Sequence, residues 1–444
     1  MRTMKHSFIA VFVCLATTGL LAESKASSEA ASEAASLVFP PYLHSYGIRK
    51  ASPAKLFLFF GTKTAFDGPE GVATVKMKSR DDPSTDKDDD EVVVYGVNSG
   101  RGELIYNTSM WSLALYGSKG SGVDRFLNPK GIAIDPDGNV YVADCGNDRI
   151  VHLFNPGKTV HWVNSFTGAS AADPGLKAPE QVALDNAGKI YVTDPVHGRI
   201  VVFTASGEAC RTFPEHAEFT FENGPGMLAI ADGAVDRWDY FLNEHVLYCA
   251  DRNGTRLWKI DLSGRVLKQI SLAADEKAGY AAVDFYHNLW ITDREKHCVL
   301  KFDKDLGLLD VFGSYGTGKN QFIEPRGIAI WKRYGQVFIA EKKGAQYFWI
   351  GTDLKSRDLV KKENKLYSLA LNLTEYSFIS FFKLNGRDTS WVISRRFVNP
   401  GETSIDFFDA KNIIGPGAAM MLKAEPTYSS YLYNSWVYPV SVDK

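Results

Sequence analysis

With 444 residues, 45% of them hydrophobic and 13% aromatic, the chain can fill a sizeable core, and its length suits two or three domains. A formal charge of −2 removes the electrostatic reason to expect nucleic acid, because phosphate binding needs clustered excess Lys and Arg. After the N-terminus no apolar run is long enough to span a bilayer, so no membrane span is expected once a leader is removed.

The first 22 residues read as an export signal. Arg2 and Lys5 supply the positive charge, residues 8–21 form an almost unbroken apolar stretch, and Ala22 is a suitable last residue before cleavage. Cys14 lies inside the apolar run behind Phe12 and Val13, which argues against a lipoprotein anchor. The expected location is therefore secreted, periplasmic or cell-surface. Residues 23–54 begin Ser-, Ala- and Glu-rich and read as a spacer.

From about residue 55 to residue 350 one pattern returns at least six times. Its clearest copy runs Pro129-Lys130-Gly131-Ile132-Ala133-Ile134-Asp135, then Val140-Tyr141-Val142-Ala143-Asp144, then Asn147-Asp148-Arg149-Ile150-Val151. The acid closing the middle run recurs as Asp144, Asp194, Asp251, Asp293 and Glu341, at intervals of about 50 residues. Each copy holds three β-rich runs punctuated by Gly, Asn and Asp. A fourth follows in several copies, at residues 160–166, 209–213, 266–272 and 308–312. Four antiparallel strands per copy make a blade, and six blades closing radially hide their edges. The sixth copy lacks an obvious fourth strand, while Lys55-Leu56-Phe57-Leu58-Phe59-Phe60 stands alone before the first. That run is expected to complete the last blade and latch the ring.

These residues resemble the NHL repeat family, with its Pro-x-Gly-Ile-Ala run, strand ending in Asp, and Asn-x-Arg-Ile. The resemblance implies a six-bladed β-propeller of the TolB-like class, and it implies no activity. Residues 365–444 are expected to form a second domain, with residues 351–364 as the connection. Pro400-Gly401, a strand ending at Phe408-Asp409-Ala410, and Gly415-Pro416-Gly417 resemble the Ig-like sandwich of FlgD-type C-terminal domains, although Ala410 stands where that motif has Gly. The fold class expected is all-β: a propeller followed by a small Ig-like β-sandwich.

Four cysteines follow the leader. Cys249 and Cys298 occupy inner-strand positions of the repeat and read as core hydrophobes rather than disulfide partners. The Asp144–Arg149, Asp194–Arg199 and Asp251–Arg256 pairs recur from blade to blade. An active site is singular, so these pairs read as turn braces. The turn between second and third strands shares a face with the connections between blades. Cys145, Asn147, His197, Arg252, Asn253, Arg294, His297 and Lys342 are thereby placed around one mouth of the channel, as candidate ligand-binding residues. The peptidylamidoglycolate lyases carry the same repeat and a zinc held by three histidines, and that likeness makes His197, His297 and His216 the zinc candidates. Asp86, Asp88 and Asp90, in an acidic run read as a solvated insertion, are the calcium candidates. A stacking platform for sugar rings needs exposed aromatics on one face, which sequence does not reveal. No nucleophile elbow, phosphate loop or dinucleotide fingerprint is present. No cofactor is expected, calcium and zinc being the two to test. The leading expectation is a non-catalytic scaffold binding an extracytoplasmic protein, peptide or glycan; the alternative is a metal-dependent lyase or hydrolase at the mouth.

Overall fold

The computed structural model describes residues 35–39, 49–80, 92–109, 112–214, 219–232, 244–385, 388–415, 419–428 and 436–440. The expected export signal, Asp86, Asp88, Asp90 and His216 all lie outside these residues. The chain divides into two compact units, one of residues 50–347 and one that joins the segment before residue 50 to residues from 348 onward.

In the first unit the repeat becomes a succession of antiparallel sheets. The first is built from Pro69–Val75, Val93–Asn98, Glu103–Ser109 and Ser112–Tyr116. The second comprises Pro129–Ile134, Asn139–Asp144, Arg149–Phe154 and His161–Phe166. The third, fourth and fifth repeat this order, beginning at Val182–Leu184, Pro225–Asp232 and Ala281–Val283. The sixth has Ile328–Trp331, Gln336–Glu341 and Gly344–Ile350. The first strand of each sheet touches the first strand of the next, and the sixth returns to the first. The sheets therefore surround a common axis, as in a β-propeller.

Apolar side chains fill the wedges between successive sheets. Tyr95, Val97 and Leu104 pack with Val140, Val142 and Leu153 between the first two. Leu247, Cys249 and Trp258 pack against Tyr191, Ile200 and Val202 between the third and fourth. Cys249 and Cys298 are buried free thiols, and Trp258 and Trp290 are fully buried. Near the axis the backbones come so close that a side chain is forbidden at some positions. A Cβ on Gly131 would sit 2.6 Å from the Glu180 carbonyl, and one on Gly327 would sit 2.4 Å from that of Glu70. Both glycines use the proximity, donating their N–H to those same carbonyls at 2.8 and 3.1 Å.

The recurring acid at the end of each second strand is a joint. Asp144, Asp194, Asp293 and Glu341 accept the backbone N–H of Leu127, Lys177, Lys277 and Ile323, at 2.7, 3.0, 2.8 and 2.7 Å. Each thus ties the incoming connection to its own sheet. Asn98 does the same for Asp67 in the first sheet at 2.8 Å, whereas Asp251 turns to its own turn and accepts from Thr255. Arg149 and Arg199 brace their acids through Nε at 2.8 and 3.0 Å, and Arg256 stands at 3.6 Å from Asp251.

Two expectations are corrected. Residues 55–60 are not a strand: Pro53–Phe60 is an α-helix. Ser52 accepts the Lys55 N–H as N-cap, Pro53 opens the helix, and Gly61 ends it at φ 58°. These local signals overrule the β-propensity of the phenylalanines. The outer edge of the sixth sheet is covered by other N-terminal residues, Lys50–Ala51 against Gln346 and Ala345, and Leu37–Val38 against Ile350 and Trp349. Residues 351–364 are likewise more than a connection, since Leu354–Glu363 is a strand. Its lysines suit an exposed sheet edge, and Asn364 and Lys365, both at positive φ, turn it into Leu366–Leu373.

The second unit holds two antiparallel sheets, one ordered Leu354–Glu363, Leu366–Leu373, Gly401–Phe408, the other Asp388–Val398, Ser377–Asn385, Met420–Pro426, Trp436–Val440. Leu369 and Ile405 from one meet Phe381 and Leu422 from the other in a single core. Asp409, after the strand's terminal Phe408, is buried and accepts the N–H groups of Ile413 and Ile414 at 2.9 and 2.8 Å.

Candidate functional site

The residue between Pro and Gly in the repeat points toward the axis, and it differs from sheet to sheet. It is Glu70 in the first, Lys130 in the second, Glu180 in the third, Gly226 in the fourth and Arg326 in the sixth, all lining one cavity of about 290 Å³. In the third and fifth sheets the following glycine is replaced by Gln181 and Tyr280, whose side chains enter the cavity as well, whereas Met227, its replacement in the fourth, packs into the core. Arg252 and Arg294, from the turns after the second strands, complete the wall. Four cations and two carboxylates thus face one space.

They are held by each other. Glu180 receives Lys130 at 2.5 Å and Arg252 at 2.8 Å on the same carboxylate oxygen. Glu70 accepts from Arg326 at 2.7 Å on one oxygen and from the Tyr280 hydroxyl at 2.8 Å on the other. Arg326 also donates to the Pro69 carbonyl at 3.0 Å, is almost wholly buried, and keeps an Nε without a partner among the described residues. Burial, and next the charge of Glu70, push the Tyr280 hydroxyl well above its ordinary range, so it is a donor throughout the neutral range. On the rim, Glu324 receives Lys342 at 2.6 Å, Arg294 at 3.2 Å and Arg326 at 3.3 Å. These cations, Lys342 foremost, hold its carboxyl down to about 2.

The expected mouth residues divide accordingly. Arg252 and Arg294 line the cavity with about half their side chains exposed. Lys342 acts one step back, through Glu324. Cys145 is buried, and burial raises its thiol pKa above the ordinary value, with Lys130 opposing. Asn147 is occupied by Asp144 and the Gly120 carbonyl, and Asn253 by Asn223. His197 is held to Asp194 at 2.8 Å, and His297 Nδ1 accepts the Glu324 N–H at 2.9 Å. His197 serves its own turn, and His297 the connection into the sixth sheet. Among the described residues no three His, Cys, Asp or Glu side chains gather to hold a metal. The cavity's carboxylates do not suit a cation either, because Glu70 and Glu180 are each already neutralised by Arg or Lys. Glu70, Lys130, Glu180, Tyr280 and Arg326 were missed in the sequence. For Glu70, Lys130 and Arg326 the signal was a single variable letter inside a repeated Pro-x-Gly; Glu180 lacks the glycine after it, and Tyr280 stands in a copy that has lost the motif.

A family model described as NHL repeat matches residues 126–153. No curated protein matches the chain. Among solved structures, a streptogramin B lyase is similar at 15% identity and a TM-score of 0.42, over 65% of this chain and 95% of that one. A gluconolactonase from Xanthomonas campestris is similar at 14% and 0.45, over 72% and 98%. Regucalcin from Agrobacterium tumefaciens, a calcium-binding protein, is similar at 12% and 0.43, over 65% and 91%.

Proposed function

We propose that the chain is an exported, six-bladed NHL-type propeller of the TolB-like class, carrying an Ig-like sandwich of FlgD type. On this reading it recognises an anionic group of an extracytoplasmic protein, peptide or glycan at the mouth of its ring. One observation supports this above the others: Arg252 and Arg294 face a cavity of about 290 Å³ with half of each side chain exposed, above acids already matched by cations. The first layer of ion pairs fixes the geometry, and the two exposed guanidinium groups retain N–H donors for a ligand. Preorganised donors avoid the cost of ordering flexible side chains at binding. Tyr280, kept protonated, gives its hydroxyl proton to Glu70 and holds that acid in place.

A pull-down from cell-envelope and culture material tests this, comparing the intact protein with an Arg252→Ala/Arg294→Ala variant. Partners captured by the intact protein and lost by the variant, with capture weakening as salt rises, are expected. Equal capture by both would remove the mouth as the binding face. Turnover of a small molecule by a protein that captures nothing would replace the scaffold reading with an enzymatic one.

A further inference from the structure

The second unit carries an aromatic face of its own. On the four-stranded sheet, Ile379, Phe381 and Leu422 point into the core, so Phe378, Ser380 and Phe382 of the same strand lie on its other side, Phe378 half-buried and Ser380 and Phe382 buried beneath the edge strand's side chains. The neighbouring edge strand, Asp388–Val398, adds Trp391 and Phe397, each about half exposed, at 49% and 48%. Neither ring stands alone. Phe382 backs Trp391 with ring centres 4.8 Å apart, while Tyr376 and Phe378 hold Phe397 at 5.8 and 6.0 Å. Between the two exposed rings the strand bulges. Arg395 takes a positive φ there, donates its N–H to Ser380 Oγ at 3.1 Å, and lays its guanidinium 4.3 Å above Phe378. Glu425, on the next strand and nearly buried, stands 3.8 Å from Arg395 and 3.0 Å from Lys423.

This face combines three properties: exposed apolar rings held by neighbouring rings, the charged side chains of Arg395 and Lys423 beside them, and more positive than negative charge. Trp391 lies opposite Phe382 and Phe397 opposite Phe378, so the two rings stand four partner residues apart, about 13 Å at roughly 3.3 Å per residue. A single sugar ring does not reach both aromatics. A chain of sugar rings does: C–H faces lie on the aromatics, and hydroxyls, carboxylates or sulfates meet Arg395 and Lys423. We propose that this face binds an acidic polysaccharide, independently of the ligand at the propeller mouth.

The test is native electrophoresis of the full chain through gels containing polygalacturonate, with dextran as the neutral control. Retardation by polygalacturonate alone is expected. Trp391→Ala and Phe397→Ala should each weaken it about tenfold, the range of one aromatic contact, while Trp391→Phe, which keeps a ring, should retain most of it. The Arg252→Ala/Arg294→Ala variant should be retarded like the intact protein. Equal retardation by dextran would refute the charge requirement. Retardation that survives both alanine changes and disappears in the mouth variant would move the glycan to the mouth. A concentration-dependent dimer that dissociates on Trp391→Ala, seen by sedimentation, would show that a second copy covers the face. Unchanged thermal melting of the alanine variants shows that loss of binding is not loss of fold.

Discussion

His287 is the side chain whose titration should mark the stability of the propeller unit. It sits in the turn between the first two strands of the fifth sheet, at φ 62°, with no accessible surface and, among the described residues, no partner for either ring nitrogen. Burial, followed by the charge of Lys332 and with Lys259 and Lys304 adding while Glu244 opposes, lowers its pKa from 6.5 to about 4. The folded value lies below the unfolded one, so the contribution is complete above pH 6.5 and is lost as pH falls toward 4. At pH 5 the unfolded chain has largely taken up the proton and the folded chain has not. The linkage expression then gives a loss of about 2 kcal/mol between pH 8 and pH 5. Asn tolerates positive φ and does not titrate, so His287→Asn should lower stability at pH 8 by leaving a gap, yet flatten the decline toward pH 5. Urea unfolding of both proteins at half-unit pH steps measures the difference in slope. Parallel profiles, or an NMR titration of His287 near 6.5, would refute the reasoning.

Gly131→Ala should destabilise the ring by about 1–3 kcal/mol, because its Cβ would meet the Glu180 carbonyl at 2.6 Å between two backbones with no room to part; a thermal melt within a degree of the parent would refute this. A chain beginning at Ser52, lacking Leu37–Val38 and Lys50–Ala51, should expose Gly344–Ile350 as an unpaired edge and aggregate in size-exclusion chromatography, whereas one beginning at Ala35 should stay monodisperse.

The sheets were legible because each repeat states its turns as well as its strands: Pro129, Gly131 and Asp144 recur in other copies, and the joint to the incoming connection survives where Asn98 or Glu341 replaces the aspartate. The N-terminal edge was not legible. Leu37–Val38 and Lys50–Ala51 are two residues each, too short to show a period, and a stronger apolar run at residues 55–60 competed for the role. Ser52, Pro53 and Gly61 marked that run as a helix, and caps deserved more weight than phenylalanine propensity. Leu354–Glu363 was hidden for the opposite reason, since an edge strand protected by lysine looks like a linker. At the mouth, Arg252 and Arg294 could be placed from topology alone. Glu70, Glu180 and Arg326 required knowing that the Pro-x-Gly backbones crowd together at the axis, which is a fact of packing rather than of pattern.

The pairing of Lys50 with Gln346 sets an order of events for synthesis. The segment that covers the last sheet emerges first and must wait for nearly the whole ring before its partner exists. Closing a loop of that length costs about 5 kcal/mol in chain entropy, so the contact is rewarded only after the intervening sheets have already shortened the path. Until then the growing chain carries an open edge at each end. A protein built this way gains from a chaperone that shields both ends until they meet.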